Sequence, residues 1–365
     1  MLSEDAIVLG IETSCDETAA ACVARGRETL SSVVSSQIEV HRKFGGVVPE
    51  IASRRHVEAI IPVIDQALSD AGLTLAGVDA VAVAYGPGLV GALLVGLAAA
   101  KGLAFAMGIP MVCVNHIEGH IYANFLAHAL LEPPALCLTV SGGHTELVAM
   151  HGHGRYQVLG RTRDDAAGEA FDKVARVMGL PYPGGPALER LARSGDPDAM
   201  AFPRAHVEGR PLDFSFSGLK TAVINRLHTM EQKGAEIDAA DVAASFQKAA
   251  LGELVSRIEP GVRATGIRKL AVSGGVASNL ALRAALDELA ARLEIELFYP
   301  PLALCTDNAA MIASAGYYGL AGGRTSGLDV NAVPGARLED VSAALCREDT
   351  AACRRIISGV GASGA

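Results

Sequence analysis

Residues 7–24, IVLGIETSCDETAAACVA, and residues 135–150, ALCLTVSGGHTELVAM, share one design. An apolar run leads in, a short loop of small or polar residues turns the chain, and a second apolar run leads out. Each reads as a β-hairpin. Residues 269–286, KLAVSGGVASNLALRAAL, repeat the opening strand and Gly-Gly loop but leave as a helix. Mixed helix and strand patterns follow each hairpin. Such a chain is expected to fold as a duplicated α/β unit, with the boundary near 130–135 in LEPPAL. The polar loops then collect in a cleft, because ligands in such sheets bind where strand ends and helix starts meet.

Half of the 365 residues are hydrophobic, so a large core is available, yet aromatics are only 4% and Trp is absent. The core must be Ala, Val, Leu and Ile packed closely around many glycines. Residues 343–365 are poor in pattern and are expected to fray or stay disordered. The uncharged run 80–100 is long enough to span a membrane. YGPG at 85–88 breaks it, so it reads as strand, Gly-Pro turn and buried helix, with no membrane contact.

The formal charge of −9 rules out holding a polyanion by general attraction. A nucleic-acid substrate would need a local basic patch or a partner. The best patch is His41, Arg42 and Lys43 with Arg54, Arg55 and His56; a solvated surface is the plainer reading. Seven scattered cysteines without a CxxC pair argue for a reducing cytosol, against a disulfide framework and against a Cys-based zinc site. Glu4 and Asp5 leave the N-terminus without the basic flank of a signal peptide. The expected location is cytoplasmic.

The SGG triplets at 141–143 and 273–275 are candidate phosphate loops, since glycine lets backbone N–H groups approach an anion and a following helix adds its dipole. There is no GxxxxGK[ST], and no GxGxxG in the right place. In 164–192, Asp165, Glu169 and Asp172 are spaced to share roughly one helix face. A solvated acidic face, or contact with ribose hydroxyls or a cation, would explain that crowding. YPGGP at 182–186 then turns the chain into a helix carrying Glu189, and Asn279 is placed to cap the helix after the third loop.

NHIEGH at 115–120 puts His116 and His120 four apart, about 40° from each other on a helix, so both can face one metal. The zinc-peptidase motif needs its glutamate directly after the first histidine. Here Ile117 stands there, and Glu118 lies about 200° from His116, so a peptidase lacks its base. Asp307 in CTDNAAM is the best distant ligand, though Thr306 or Asp307 could simply cap the helix that follows. His–His–Asp with open positions suits Fe(II), Mn or Zn. His144 reads as a hydrogen-bond donor beside the SGG loop.

Together GIETSCDET, GGVVPEIASRRH, NHIEGH, VSGGHTEL, AGEAFDKVARVMGLPYPGGP, FSFSGLKTA, VSGGVASN and CTDNAAM resemble the tRNA N6-adenosine threonylcarbamoyltransferase family over about residues 7–323. The family was formerly labelled an O-sialoglycoprotein endopeptidase. The resemblance implies an actin/hexokinase-like ATPase (ribonuclease H-like) α/β fold, with two related lobes around a nucleotide cleft. The expected lobes are 1–132 and 133–325, with 326–365 a tail of no assigned role. The implied reaction moves a threonylcarbamoyl group from threonylcarbamoyl-AMP to N6 of the adenosine 3′ of the anticodon, in tRNAs reading codons that begin with A. The implied metal site is His116, His120 and Asp307, holding one divalent metal, expected to be Fe(II). Thr139, Val140, Ser141, Gly142, Gly143, Asp172, Gly185 and Asn279 would bind the adenylate, with Glu189 a ribose contact and ATP or ADP possible in the same cleft. Ser14, Asp16 and Glu17 are the candidates for handling the acyl group or the incoming amine. Implied partners are tRNA, a paralogous subunit and a small ATPase. Some relatives carry a tyrosine before VSGG that reaches the metal; Thr139 stands there in this chain, leaving substrate or water to complete the metal shell. The competing readings are a carbamoyltransferase of another acceptor and a nucleotide-responsive scaffold, with a metalloprotease last.

Overall fold

The computed structural model describes residues 3–204, 207–234 and 238–346. Two five-stranded sheets have the same strand arrangement. The first contains β1 (Ile7–Glu12), β2 (Glu17–Ala24), β3 (Glu28–Ser36), β4 (Ala80–Gly86) and β5 (Met111–Asn115), in the order β3-β2-β1-β4-β5. The second contains β6 (Ala135–Val140), β7 (Thr145–Gly152), β8 (Arg155–Arg161), β9 (Lys269–Ser273) and β10 (Glu296–Phe298), in the order β10-β9-β6-β7-β8. Each opens with the expected antiparallel hairpin, and each adds its later strands in parallel.

The central strands are apolar without alternation because both faces are covered. Leu9 and Ile11 of β1 pack with Ile60, Val63 and Leu97 of the helices Pro49–Asp70 and Val90–Met107. Val8 faces the other way, into a cluster with Tyr122 and Ile312. Ile312 belongs to the helix Ala309–Ala321, which follows the second sheet in sequence yet packs on the first. That contact needs bare backbone. A Cβ on Gly10 would lie 2.2 Å from the Ala309 carbonyl oxygen, and one on Gly316 would lie 2.3 Å from Ala82 Cβ.

Two expectations change. Residues 343–346, expected to fray, close a helix, and the stretch from 326 that was assigned no role packs on the fold. Ser326 N–H donates to the Met111 carbonyl and Val333 N–H to the Tyr85 carbonyl, both at 2.8 Å, and the helix Leu338–Cys346 lies on β8. The expected fraying falls partly on 347–365, which lie outside the described residues. The helix Val90–Met107 is buried on one face only: Ala92, Leu93, Gly96 and Leu97 are covered, whereas Val90 is 54% and Phe105 77% exposed. By length and composition it could cross a membrane, and among the described residues it is the one helix of which this is true.

A buried ion pair joins the last segment to both lobes. The Arg324 guanidinium donates to Glu118 Oε2 at 3.0 Å, and the Tyr156 hydroxyl of β8 donates to Glu118 Oε1 at 3.0 Å. Glu118 is therefore a structural acid. Arg324→Ala strands that carboxylate in the core and is expected to cost about 3–5 kcal/mol in urea unfolding. A loss below about 1 kcal/mol would contradict the assignment.

Candidate nucleotide cleft and metal-ligand cluster

β5 ends at Asn115, whose side-chain oxygen accepts from Ile117 N–H at 2.9 Å and caps the helix His116–Ala127. The cap starts the helix at His116, and its next turn carries His120 to the same side. Asp307 meets them from just before the Ala309–Ala321 helix. The expected cap of that helix by Thr306 or Asp307 is not formed. Asn308 accepts from Met311 N–H at 3.0 Å instead, and Asp307 is left to turn toward the imidazoles. Its Oδ1 lies 3.1 Å from His120 Nε2 and 3.5 Å from His116 Nε2.

The three donor atoms lie within 4.8 Å of one another. His120 is fully buried, and neither of its ring nitrogens makes a hydrogen bond of good geometry. A buried imidazole left without partners is costly, and a divalent cation between the two histidines and the carboxylate would satisfy it. The residues fit such an ion. Burial would raise the Asp307 carboxyl, but His116 and His120 outweigh it and hold it below the usual carboxylate range. Burial would lower His116, but Asp307 and Glu12 outweigh it and lift it to about 9. His144, half-buried near both imidazoles, is pushed down to about 4, first by desolvation and then by their charge.

Glu12 was not among the sequence candidates. It is fully buried at the end of β1, and its Oε2 lies 3.0 Å from His116 Nδ1. Its other oxygen accepts from Ser14 N–H, and Ser14 Oγ is 3.1 Å from the same Nδ1. Nδ1 is thus engaged on the protein side, and Nε2 is left facing Asp307. The sequence signal was a carboxylate ending an otherwise apolar strand.

Two adjoining cavities lie in front of this cluster. The smaller, about 260 Å³, is lined by Asp16, Glu17, Ser141, Gly142, Asp172, Gly185, Glu189, Asn279 and Asp307 among others. The larger, about 560 Å³, adds Ser14, Gly143, His144 and His116. A Cβ on Gly142, Gly143 or Gly275 would meet nothing within 4 Å, so these loop backbones face open space. Thr139 and Val140 line neither cavity. Both are fully buried in β6, where Thr139 Oγ1 is 3.1 Å from Ser273 Oγ. Tyr182 lines both, and only its short YPGGP turn had drawn notice. An open groove of about 590 Å³ beside Arg204 and Lys248 is lined by none of the expected site residues; its lining residue Gln247 accepts from Asn279.

The expected acidic face does not form. Asp165 precedes the helix Ala167–Val177 and is paired with Lys173 and Lys220, and Glu169 is paired with Lys173. Asp172 lines both cavities, and Glu169 lines the larger one while paired with Lys173. Asp172 Oδ1 accepts from Gly184 N–H at 2.7 Å and Gly185 N–H at 3.2 Å, which fixes the turn beneath the cavity. Burial nonetheless raises its carboxyl. Glu189 accepts from Leu280 N–H at 3.1 Å, and Asn279 caps the next helix through Leu282 N–H at 3.0 Å, as its spacing predicted. Burial raises Asp16, and burial together with Asp16 lifts Glu17 to about 8. Glu17 Oε2 is buried without a partner. Of the basic patch, His41 and His56 are buried, with His56 Nε2 2.9 Å from the Cys15 carbonyl oxygen, so only its arginines and lysine are surface charge.

Glu12→Gln keeps the volume and removes the charge behind His116. Divalent-metal affinity, measured by titration of the purified protein, is expected to fall about 10–100-fold. Unchanged affinity would remove Glu12 from the metal's support.

Residues 28–314 match the family model of tRNA N6-adenosine threonylcarbamoyltransferase. The protein of that name from Symbiobacterium thermophilum is 60% identical over 336 residues, 91% of this chain and 96% of the relative. That from Clostridium botulinum strain Kyoto is 56% identical over 92% of this chain and 99% of the relative. Among solved structures, T. kodakarensis HypF superposes with a TM-score of 0.61 at 15% identity, covering 88% of this chain and 48% of HypF. Component A of Acidaminococcus fermentans (R)-2-hydroxyglutaryl-CoA dehydratase gives 0.51 at 15% identity, covering 87% of this chain and 99% of that chain. These likenesses carry the fold, the actin/hexokinase-like ATPase architecture of two related lobes. On the strength of the family match and of the near full-length identity, the chain belongs to the tRNA N6-adenosine threonylcarbamoyltransferase family.

Proposed function

We propose that this chain transfers the threonylcarbamoyl group from threonylcarbamoyl-AMP to N6 of the adenosine 3′-adjacent to the anticodon, in tRNAs reading codons that begin with A. The observation that carries the reading is the 60% identity to a transferase of that name across 96% of its length. The cavities give the chemistry a place, since the glycine loops, the carboxylates and the His–His–Asp cluster all line or adjoin one cleft.

The donor is a mixed carbonic–phosphoric anhydride, so AMP leaves readily. The acceptor amine is conjugated with its purine and is a weak nucleophile. The tasks left to the protein are placement and electrostatics. Backbone N–H groups of Gly142, Gly143 and Gly275 hold the phosphate, while Ser141 N–H closes the loop on the His144 carbonyl. Asp172, Gly185, Glu189 and Asn279 frame the nucleoside, and ATP or ADP fits the same frame. N6 attacks the carbamoyl carbon, the C–N bond forms, and the bond to the phosphate oxygen breaks. Asp16 or Glu17 takes the N6 proton, and Ser14 orients the acyl group. His116, His120 and Asp307 hold one divalent metal, expected to be Fe(II). When bound it supplies Lewis-acid polarisation of a donor oxygen.

The uncovered apolar residues Val90, Leu94 and Phe105, with Val57 and Ile61 on the neighbouring helix, support a protein partner. The proposed partners are a paralogous subunit and a small ATPase, in the cytoplasm. A peptidase gains nothing from the cleft, because Glu118 is committed to Arg324 and Tyr156.

Nucleoside mass spectrometry on unmodified tRNA, incubated with this chain, its partners and threonylcarbamoyl-AMP, should show threonylcarbamoyladenosine only when the chain is present. His120→Ala should lower both product and bound metal at least about tenfold. Full transfer and full metal content in that variant would remove the metal role, and no product from the native chain would favour a carbamoyltransferase of another acceptor or a scaffold.

A further inference from the structure

We infer that Lys43, Phe44 and Arg176 form the docking rim for the RNA strand around the target adenosine, with Phe44 as the stacking platform for a base beside it. This deepens the transferase reading and rests on it.

A short strap, 43–48, crosses the mouth of the cleft. Gly45, Gly46 and Val47 line the same cavity as His116 and Asp307. The strap is tied to the other lobe: Arg176 donates to the Gly45 carbonyl, and Arg42 Nε donates to the Tyr182 carbonyl at 3.2 Å. Gly45 has φ +66°, a left-handed conformation that lets the strap turn tightly here. The turn leaves Phe44 with 55% of its surface in solvent, in a chain that has few aromatics.

The charges at the mouth sort into used and unused. Lys173 is neutralised by Asp165 and Glu169, and Arg42 by Glu39. Lys43 and Arg176 are exposed, and among the described residues neither has a carboxylate in ion-pair range. Cations without an acidic partner, Arg176 keeping donors beyond the one given to the Gly45 carbonyl, flank an exposed ring at the opening of an acidic cleft and match a nucleic-acid strand. To offer N6 to the cleft, the adenosine must leave its stack, and its neighbour loses a face. An aromatic ring replaces that face without regard to base identity. The flanking phosphates need positive charge, which a chain of net charge −9 can supply only locally.

The test uses the full chain with its partner proteins and unmodified tRNA. Phe44→Ala is expected to raise the KM for tRNA about tenfold, with Phe44→Tyr near native. The double variant Lys43→Ala/Arg176→Ala is expected to lower the slope of log affinity against log salt by about 1–2. AMP binding and metal content stay unchanged in both Phe44 variants; Arg176 also lines the larger cavity, so the double variant is read on the salt slope alone. Native tRNA KM in Phe44→Ala, together with a native salt slope in the double variant, overturns the rim while native product formation leaves the transferase reading standing. Loss of partner binding without loss of RNA affinity also overturns it. A native complex that forms no threonylcarbamoyladenosine overturns the reading and the rim together.

Discussion

The close approach of the Ala309–Ala321 helix to the first sheet sets the position of everything in the cleft. Gly10, Gly316 and Gly119 each lack a Cβ that would strike the helix or be struck by it: at Gly119 the clash would be with Ile312 Cδ1 at 2.7 Å. The same contact brings the start of that helix against the start of His116–Ala127. Asn308 and Asn115 cap the two helices, so Asp307 and His116 are free to face one another across the joint. A displacement of even an ångström at Gly10 would be passed directly to Asp307, and metal-ligand geometry does not tolerate that.

A second constraint is charge. Asp16, Glu17, Asp172 and Asp307 converge on one partly buried cleft in a chain that is already acidic. Burial lifts the first three toward their neutral forms, and Asp307 stays ionised because two imidazoles face it. An adenylate adds further negative charge. The cleft therefore needs compensation that its side chains alone do not provide. Open backbone N–H groups on the glycine loops and a divalent cation among His116, His120 and Asp307 are the compensation this geometry allows.

Much of this was legible in the sequence. The paired hairpins predicted the duplicated sheets because a strand–loop–strand pattern is local, and the strand order of the two sheets bears that out. His116 and His120 could be read as a pair because helical spacing is local too. What failed was long-range. The return of Ala309–Ala321 and of 324–346 to the first lobe depends on glycine gaps that no periodicity announces. The carboxylates of 164–172 looked like one face because Lys220, far along the chain, was invisible as a partner for Asp165. Thr139 and Val140 were assigned to the nucleotide with the loop they precede, whereas a strand both of whose faces are covered buries them. Glu12 was passed over because a lone acid at a strand end carries no spacing signal. Its meaning appears only beside His116 Nδ1.

The most direct test of the account is a crystal structure of the chain with Fe(II) or Mn(II) and AMP, with the metal located by anomalous scattering. The account predicts one ion at bonding distance, about 2.1 Å, from His116 Nε2 and His120 Nε2 and likewise bound to Asp307 Oδ1. It also predicts the AMP phosphate on the Gly142 and Gly143 backbone. An ion bound elsewhere, or AMP in the groove beside Arg204 and Lys248 with the cleft empty, would contradict it.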